Sequence, residues 1–370
     1  MTRKAFTQAL TRVWWRPLVR FGIIGCGVIG GLHAQTVTGL GDRAELAVVA
    51  DTSPDRARQL AEKHGVEASH SIGEVLARPD IDAVTICTPS GQHADLAVAA
   101  LDAGKHVVIE KPLDITLGAA RRVLAAERRS DRTAMVISQF RYEQASTVVH
   151  EALQAGRFGK LTSGNAIMSW WRSQEYYDSG DWRGTWEFDG GGALMNQGIH
   201  TIDLLVWFLG EPVEVFAYAD CLAHERIEVE DTAVATIQFA GGALGVVHGT
   251  TAAYPGPVSR VQVHGDRGSA VIDNDELVYF HAAGGGGREY PYGAGGEANQ
   301  AGELLGGAGS RRRSDATSHT AQFEDFLSAV EEGRPPLVTV EAATRPLALI
   351  RAIYESARTR RPVKIKELGQ

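Results

Sequence analysis

A chain of 370 residues with a formal net charge of -8 can bury two cores, and its acidity argues against nucleic acid or an anionic membrane as a general partner. No apolar run approaches the ~20 residues of a membrane span. Cys26, Cys87 and Cys221 are too widely spaced for a disulfide framework or a zinc site, which points to a reducing, cytoplasmic setting.

Residues 1–19 are basic and acid-free and include Trp14-Trp15. They lack the apolar core of a secretory signal and read as an N-terminal extension, either an amphipathic arm or a tail. An apolar strand over 19–24 leads into Gly25-Cys26-Gly27-Val28-Ile29-Gly30. A helix is predicted over 31–40 and a second strand over 45–50, closed by Asp51. That acid stands about 20 residues after Gly30, the separation of a dinucleotide site. Gly25 permits the tight turn, Gly27 admits a pyrophosphate against the backbone, and Gly30 lets helix and strand pack closely. Cys26, Val28 and Ile29 complete the loop, Cys26 through its backbone alone. The helix N-terminus offers free N–H groups and a positive dipole end, and Asp51 can accept hydrogen bonds from ribose hydroxyls. The same carboxylate would repel a 2′-phosphate, so NAD is expected over NADP. Arg56, the cation best placed to rescue NADP, is expected to be carried away on the next helix.

Helices over 54–64, 95–103 and 116–129 alternate with strands over 82–87, 106–109 and 134–138. Near-continuous apolar strands between helices predict a parallel sheet covered on both faces. Past Tyr142 the pattern changes. A helix over 148–154 precedes strands over 162–171, 213–220, 232–239, 243–251, 260–264 and 269–272, a mainly antiparallel set. Residues 284–309 are glycine-dense and read as a mobile surface loop, followed by Arg311-Arg312-Arg313. Helices over 320–331 and 340–358 close the chain.

Two segments stand at carboxyl ends of predicted parallel strands, where ligands bind in such sheets. One is Thr88-Pro89-Ser90-Gly91-Gln92-His93, the other Glu110-Lys111-Pro112. Lys111, held by Pro112, is a candidate proton donor or acceptor if burial or nearby positive charge lowers its pKa. A cis Lys111–Pro112 bond is expected, since X–Pro makes cis accessible at ~0.5–1 kcal/mol. A third segment, Gly190 to Asp203, runs into an apolar helix over 204–209. There Asn196, His200 and Asp203 would share one helical face, with Asp203 orienting the His200 imidazole. No further ligand set is evident, so no metal is expected. In the aromatic-rich stretch 165–186, Arg172, Tyr177, Trp182 and Arg183 are candidates for substrate contact, because aromatic faces stack on sugars and arginine forks bind carboxylate or phosphate.

In this order these motifs resemble the glucose–fructose oxidoreductase, inositol dehydrogenase and rhizopine-catabolism (Gfo/Idh/MocA) family. The matching pieces are the glycine loop, Asp51, Thr88-Pro89 with His93, Glu110-Lys111-Pro112, and Gly198-Ile199-His200-Thr201-Ile202-Asp203. The resemblance implies a Rossmann dinucleotide-binding domain over 20–141. Over 142–370 it implies an α/β substrate and oligomerisation domain with a large, mainly antiparallel open sheet that joins subunits as a homodimer or homotetramer. It also implies that Lys111 and His200 line the reacting carbon. Many sugar and inositol dehydrogenases of the family carry an aspartate where this chain has Asn196, and an amide cannot take a proton. Ser90 also stands where Asn is frequent.

The expected function is NAD-dependent oxidation of a secondary alcohol on a sugar, inositol or sugar derivative. Two alternatives are an NAD-dependent glycoside hydrolase working by transient oxidation and elimination, and a cofactor-bound sensor without turnover.

Overall fold

The computed structural model describes residues 18–283, 298–305 and 315–368. Most of the basic extension, the glycine-dense segments 284–297 and 306–309, and the arginine run at 311–313 lie outside the described residues.

The first unit alternates strand and helix: β1 (Val19–Ile24), α1 (Val28–Gly39), β2 (Ala44–Ala50), α2 (Pro54–His64), β3 (Glu67–Ser69), α3 (Ile72–Ala77), β4 (Ala83–Ile86), α4 (His93–Asp102), β5 (His106–Ile109), α5 (Leu117–Arg129) and β6 (Ala134–Val136). The strands form one parallel sheet in the order β3-β2-β1-β4-β5-β6. That is the doubly wound order of a dinucleotide-binding fold. Phe21, Ile23 and Ile24 in β1 and Val107, Val108 and Ile109 in β5 are fully buried, as strands covered on both faces must be.

The second unit holds α6 (Gln144–Gln154), β7 (Leu161–Ser169), α7 (Gln174–Asp178), a π-helical turn (Ala193–Gly198), α8 (Ile199–Leu209), β8 (Pro212–Asp220), β9 (Thr232–Phe239), β10 (Leu244–Thr250), β11 (Val258–Gly265), β12 (Gly268–Asp273) and β13 (Glu276–Ala282). After these come α9 (Ala301–Leu304), α10 (Asp315–Glu332), α11 (Val340–Thr359) and β14 (Val363–Lys364). An eight-stranded sheet runs β13-β12-β11-β7-β10-β9-β8-β14. Every neighbouring pair is antiparallel except β7 with β10. Helices α8 and α11 pack on one face of this sheet.

Helix α10 returns to the first sheet. Phe323 and Phe326 set their ring centroids 6.0 and 6.1 Å from Phe21, so residues late in the chain complete the first core. Several helices start earlier than expected, among them α4 at His93 and α6 at Gln144. Helix α1 begins at Val28, α8 at Ile199 and α10 at Asp315. For α1, glycines that read as loop in the sequence lie inside the helix, because Gly30 must pack against the turn before it.

Candidate active site

The crevice opens beyond the carboxyl ends of the first sheet. Gly25 leaves β1 with φ +100, and a Cβ there would meet the Cys87 carbonyl oxygen at 2.5 Å. At Gly30 a Cβ would lie 1.9 Å from the Gly25 carbonyl oxygen, whereas at Gly27 it meets nothing within 4 Å. Turn and helix close tightly on each other and leave an open backbone cradle at Gly27. Helix α1 has no acid in its first turn and no side-chain cap, and Val28 beside the cradle is 90% exposed. Free N–H groups there, with Ile29 next in the turn, fit the pyrophosphate of a dinucleotide.

Asp51 closes the cradle. Its Oδ2 accepts the Cys26 N–H at 2.8 Å and its Oδ1 the Ser53 N–H at 2.8 Å. Burial pushes this carboxyl up, but the hydrogen bonds from Ser53, Arg56 and Cys26 outweigh it and hold the group below its ordinary range. The Cys26 thiol is pushed up to about 12 by burial and by Asp51. Arg56 is a correction. It sits in the first turn of α2 and reaches Asp51 Oδ1 through Nε at 3.2 Å and a terminal nitrogen at 3.0 Å. The helix starts so close to the end of β2 that its first turn faces the acid.

Thr88 Oγ1 is buried without a hydrogen-bond partner among the described residues, and Pro89 and the buried Ser90 follow it into a short 3₁₀ turn. His93 ties this loop to the next one. Its Nδ1 lies 2.7 Å from the Pro112 carbonyl oxygen and its Nε2 2.8 Å from that of Thr88. The imidazole therefore shapes the crevice rather than facing into it. Glu110 also turns inward. Its Oε1 is 2.9 Å from His33 Nε2 and 3.7 Å from His319 Nε2, while Oε2 accepts the Lys111 N–H at 2.9 Å. Burial raises the Glu110 pKa, but hydrogen bonds from His319 and His33 prevail and hold it well below the usual range. These three side chains could offer ligand atoms to an ion. The 2.9 Å His33–Glu110 separation is a hydrogen bond, however, and the cluster pins α1, β5 and α10 together.

Lys111 follows Glu110 across the crevice, and its bond to Pro112 is cis. Nζ donates to the Asn196 carbonyl oxygen at 2.9 Å and lies 3.5 Å from Asn196 Oδ1. Burial lowers its pKa. Glu110 and Asp189 oppose that, Arg172 and Arg183 reinforce it, and the net direction is down. Asn196 belongs to the π-helical turn, a form that recurs at functional sites. Its Nδ2 donates to Asp189 Oδ1 at 2.8 Å, and Asp189 Oδ2 accepts the Gly184 N–H at 3.0 Å. A carboxylate thus stands one residue removed from Lys111.

His200 lies in the first turn of α8, stacks on Phe140 at 4.7 Å and lines one cavity with Lys111 and Ser138. Burial, then the charge of Lys111, depresses its pKa to about 3, so the imidazole is neutral. Asp203 does not orient it, which corrects the expectation from spacing. Arg141 grips that carboxylate as a fork at 2.8 and 2.6 Å, and the Ser138 hydroxyl donates to it as well. A buried guanidinium needs a counter-charge more than a neutral imidazole does.

In the aromatic stretch, Arg172 and Arg183 lie against the Tyr176 ring, and Trp182 lies against Arg183. Tyr177 does not join them: it is buried and its hydroxyl bonds Thr251 Oγ1 at 2.8 Å. The neighbouring Tyr176 takes that place, accepting from Arg183 at 2.8 Å and from Gln197 Nε2 at 3.1 Å. Sequence reasoning missed Asp189, Tyr176, Gln197, His33 and His319. Asp189, Gln197 and Tyr176 adjoin residues already singled out.

Two family models match the chain: the oxidoreductase family with an NAD-binding Rossmann fold over residues 19–138, and the Gfo/Idh/MocA C-terminal domain over residues 147–271. A myo-inositol 2-dehydrogenase of Thermotoga maritima is 30% identical over 363 residues, covering 95% of this chain and 99% of that protein. The WlbA dehydrogenase of Chromobacterium violaceum, solved with NADH and UDP-GlcNAcA, superposes with a TM-score of 0.82 at 30% identity, covering 94% of this chain and 96% of that one. A levoglucosan dehydrogenase solved with NADH and L-sorbose gives 0.82 at 25% identity, covering 94% and 98%. The chain belongs to the Gfo/Idh/MocA family of NAD-binding oxidoreductases. Within that class it is a dehydrogenase acting on CH–OH groups, with NAD as its cofactor.

Proposed function

We propose that the enzyme oxidises a secondary alcohol on a cyclic sugar or polyol, with Lys111 as the proton-transfer group. The observation that carries this is the placement of the Lys111 ammonium. It is anchored at 2.9 Å on the π-helical turn, between the cofactor crevice and the aromatic segment, and shares a cavity with His200. Relatives named for myo-inositol and levoglucosan support a ring polyol as substrate.

The cradle at Gly25, Gly27 and Gly30 would hold the pyrophosphate, and Asp51 the adenosine ribose. Bound NAD supplies the hydride acceptor. Lys111 in its neutral form takes the hydroxyl proton as the C–H hydride departs, so that the alcohol becomes a ketone. His200, uncharged, holds the same oxygen by a hydrogen bond and does not compete for the proton. Asn196 seats the lysine, and Asp189 fixes the Asn196 amide.

Three free cysteines support a reducing, cytoplasmic setting, and no helix among the described residues is long and apolar enough to cross a membrane. The open face of the second sheet supports self-association. A screen of inositols, hexoses and sugar acids with NAD+, followed by NADH absorbance, tests the reading. Steady accumulation of NADH is expected. Product formation without net NADH would instead indicate redox-neutral hydrolysis.

A further inference from the structure

Every buried or half-buried arginine needs a counter-charge or a reason to lack one. Arg141 has Asp203, Arg43 has Glu331 and Arg260 has Asp273. Arg172 and Arg183 are half-buried, and neither forms an ion pair among the described residues. Both lie against Tyr176, with guanidinium carbons 5.2 and 4.4 Å from its ring centroid. Trp170 backs Arg172 at 5.4 Å, and Trp182 backs Arg183 at 4.5 Å. Aromatic faces hold a guanidinium in place without neutralising it.

The buried acids of the site point elsewhere, and Asp189 acts on Arg183 through its charge alone. The oxygens of Asp189 are occupied by the Gly184 N–H and Asn196 Nδ2, and Glu110 faces His33 and His319. Arg172 Nε is buried without a partner, as is Gln197 Oε1. The pair is also joined to the reaction centre. Arg183 and Gln197 both donate to the Tyr176 hydroxyl, and the residue beside Gln197 is Asn196, which accepts from Lys111. Arg183 is therefore joined to the seat of the proton-transfer lysine through the Tyr176 hydroxyl, Gln197 and one peptide bond, while Arg172 lies against the same Tyr176 ring.

We infer that Arg172 and Arg183 bind an oxyanion carried by the substrate, so that the alcohol oxidised at Lys111 belongs to a sugar bearing a carboxylate or a phosphate. Planar guanidinium forks match either group. The neutral imidazole of His200 and the amide of Asn196 then face the hydroxyl end, and the arginines face the charged end. This inference rests on the dehydrogenase reading above.

The test uses the full-length enzyme with NAD+ or NADH and five probes: D-glucuronate, D-galacturonate and D-glucose 6-phosphate against D-glucose and D-galactose. Calorimetric titration of the NADH-loaded enzyme reads binding, and NADH absorbance with NAD+ reads turnover. An acidic probe should bind at least about tenfold more tightly than its neutral counterpart, about 1.4 kcal/mol. Arg172→Gln and Arg183→Gln should each erase that preference while NADH still binds, which shows that the fold is intact. The carboxylate and phosphate arms tell which oxyanion is favoured. The inference is overturned if neutral sugars are bound or oxidised as well as the acids. It is also overturned if no acidic probe binds, or if both arginine variants leave the binding unchanged. Acid binding lost in the variants, with no probe oxidised, would uphold the oxyanion site and sink the proposed oxidation of these sugars at Lys111 instead.

Discussion

Asn196 shows how much one residue type decides at this site. Its carbonyl oxygen and Oδ1 face Lys111, and its Nδ2 faces Asp189. In Asn196→Asp, two carboxylates would meet where an amide now donates at 2.8 Å, and one of them would have to keep a proton. We therefore predict that kcat falls and that the pH profile gains an ionisation above the ordinary carboxylate range. A kcat equal to or above wild type would show that the relay tolerates an acid there. The lysine itself makes a second prediction. Its pKa is lowered, so oxidation should rise with pH and level off below the value of a free lysine, ~10.4. His200, at about 3, should add no inflection near pH 6.5. An inflection there that disappears in His200→Asn would contradict its neutral role.

At the scale of elements, the π-helical turn is clamped from behind by Glu230. That carboxylate accepts the Gly192 and Leu194 N–H groups and the Tyr354 hydroxyl, each at 2.9 Å. Gly192 is pressed so close that a Cβ would meet the Glu230 carbonyl oxygen at 1.7 Å. Burial raises Glu230 to about 7 against the hydrogen bonds that lower it. A raised folded pKa means stability that is full below the unfolded value, ~4.3, and lost as pH rises through the folded one. Over that window the loss is of order 4 kcal/mol at 1.36 kcal/mol per unit. Wild-type Tm should fall from pH 5 to pH 8 more steeply than that of Glu230→Gln. Parallel curves would show that Glu230 stays ionised throughout.

The same turn marks where the sequence stopped being informative. The parallel strands were legible because burial on both faces writes uninterrupted apolar runs such as Val107 to Ile109. The three glycines, Asp51 and Lys111 were legible because a phosphate loop and a strand end have fixed positions in the chain. A π-helical register leaves no such trace. His33 and His319 meet at Glu110, and Glu230 meets Tyr354, from distant segments, while Asp189 reaches Asn196 from outside the helical turn, and no spacing announces them. The segment at Glu276–Ala282 escaped because its alternation is short and begins with an acid.

At the scale of the whole molecule, the eight-stranded sheet is covered on one face only among the described residues. Val215, Ala217, Ala235, Ile237 and Val247 are buried, while Tyr218 is 55% exposed, Val234 45%, Val246 38% and Leu244 57%. Pairing brings the exposed residues together: Val234 stands opposite Tyr218, and Gln238 opposite both Glu214 and Leu244. An apolar face of this kind is matched most simply by its own copy in a closed dimer. Light scattering at micromolar concentration should give a dimer or tetramer mass, and Val234→Glu with Val246→Glu should lower it. A wild-type monomer would contradict the interface.

The central claim is that Lys111 moves the proton. Lys111→Met keeps most of the apolar stem and removes the titrating group, and its side chain lies away from the Gly25–Gly30 cradle. On a substrate identified by the NADH screen, kcat should fall by ~10²–10⁴, the range of general acid–base catalysis, while NADH titration gives wild-type affinity. Near-normal turnover in Lys111→Met, with the cofactor bound as tightly as before, would contradict the mechanism.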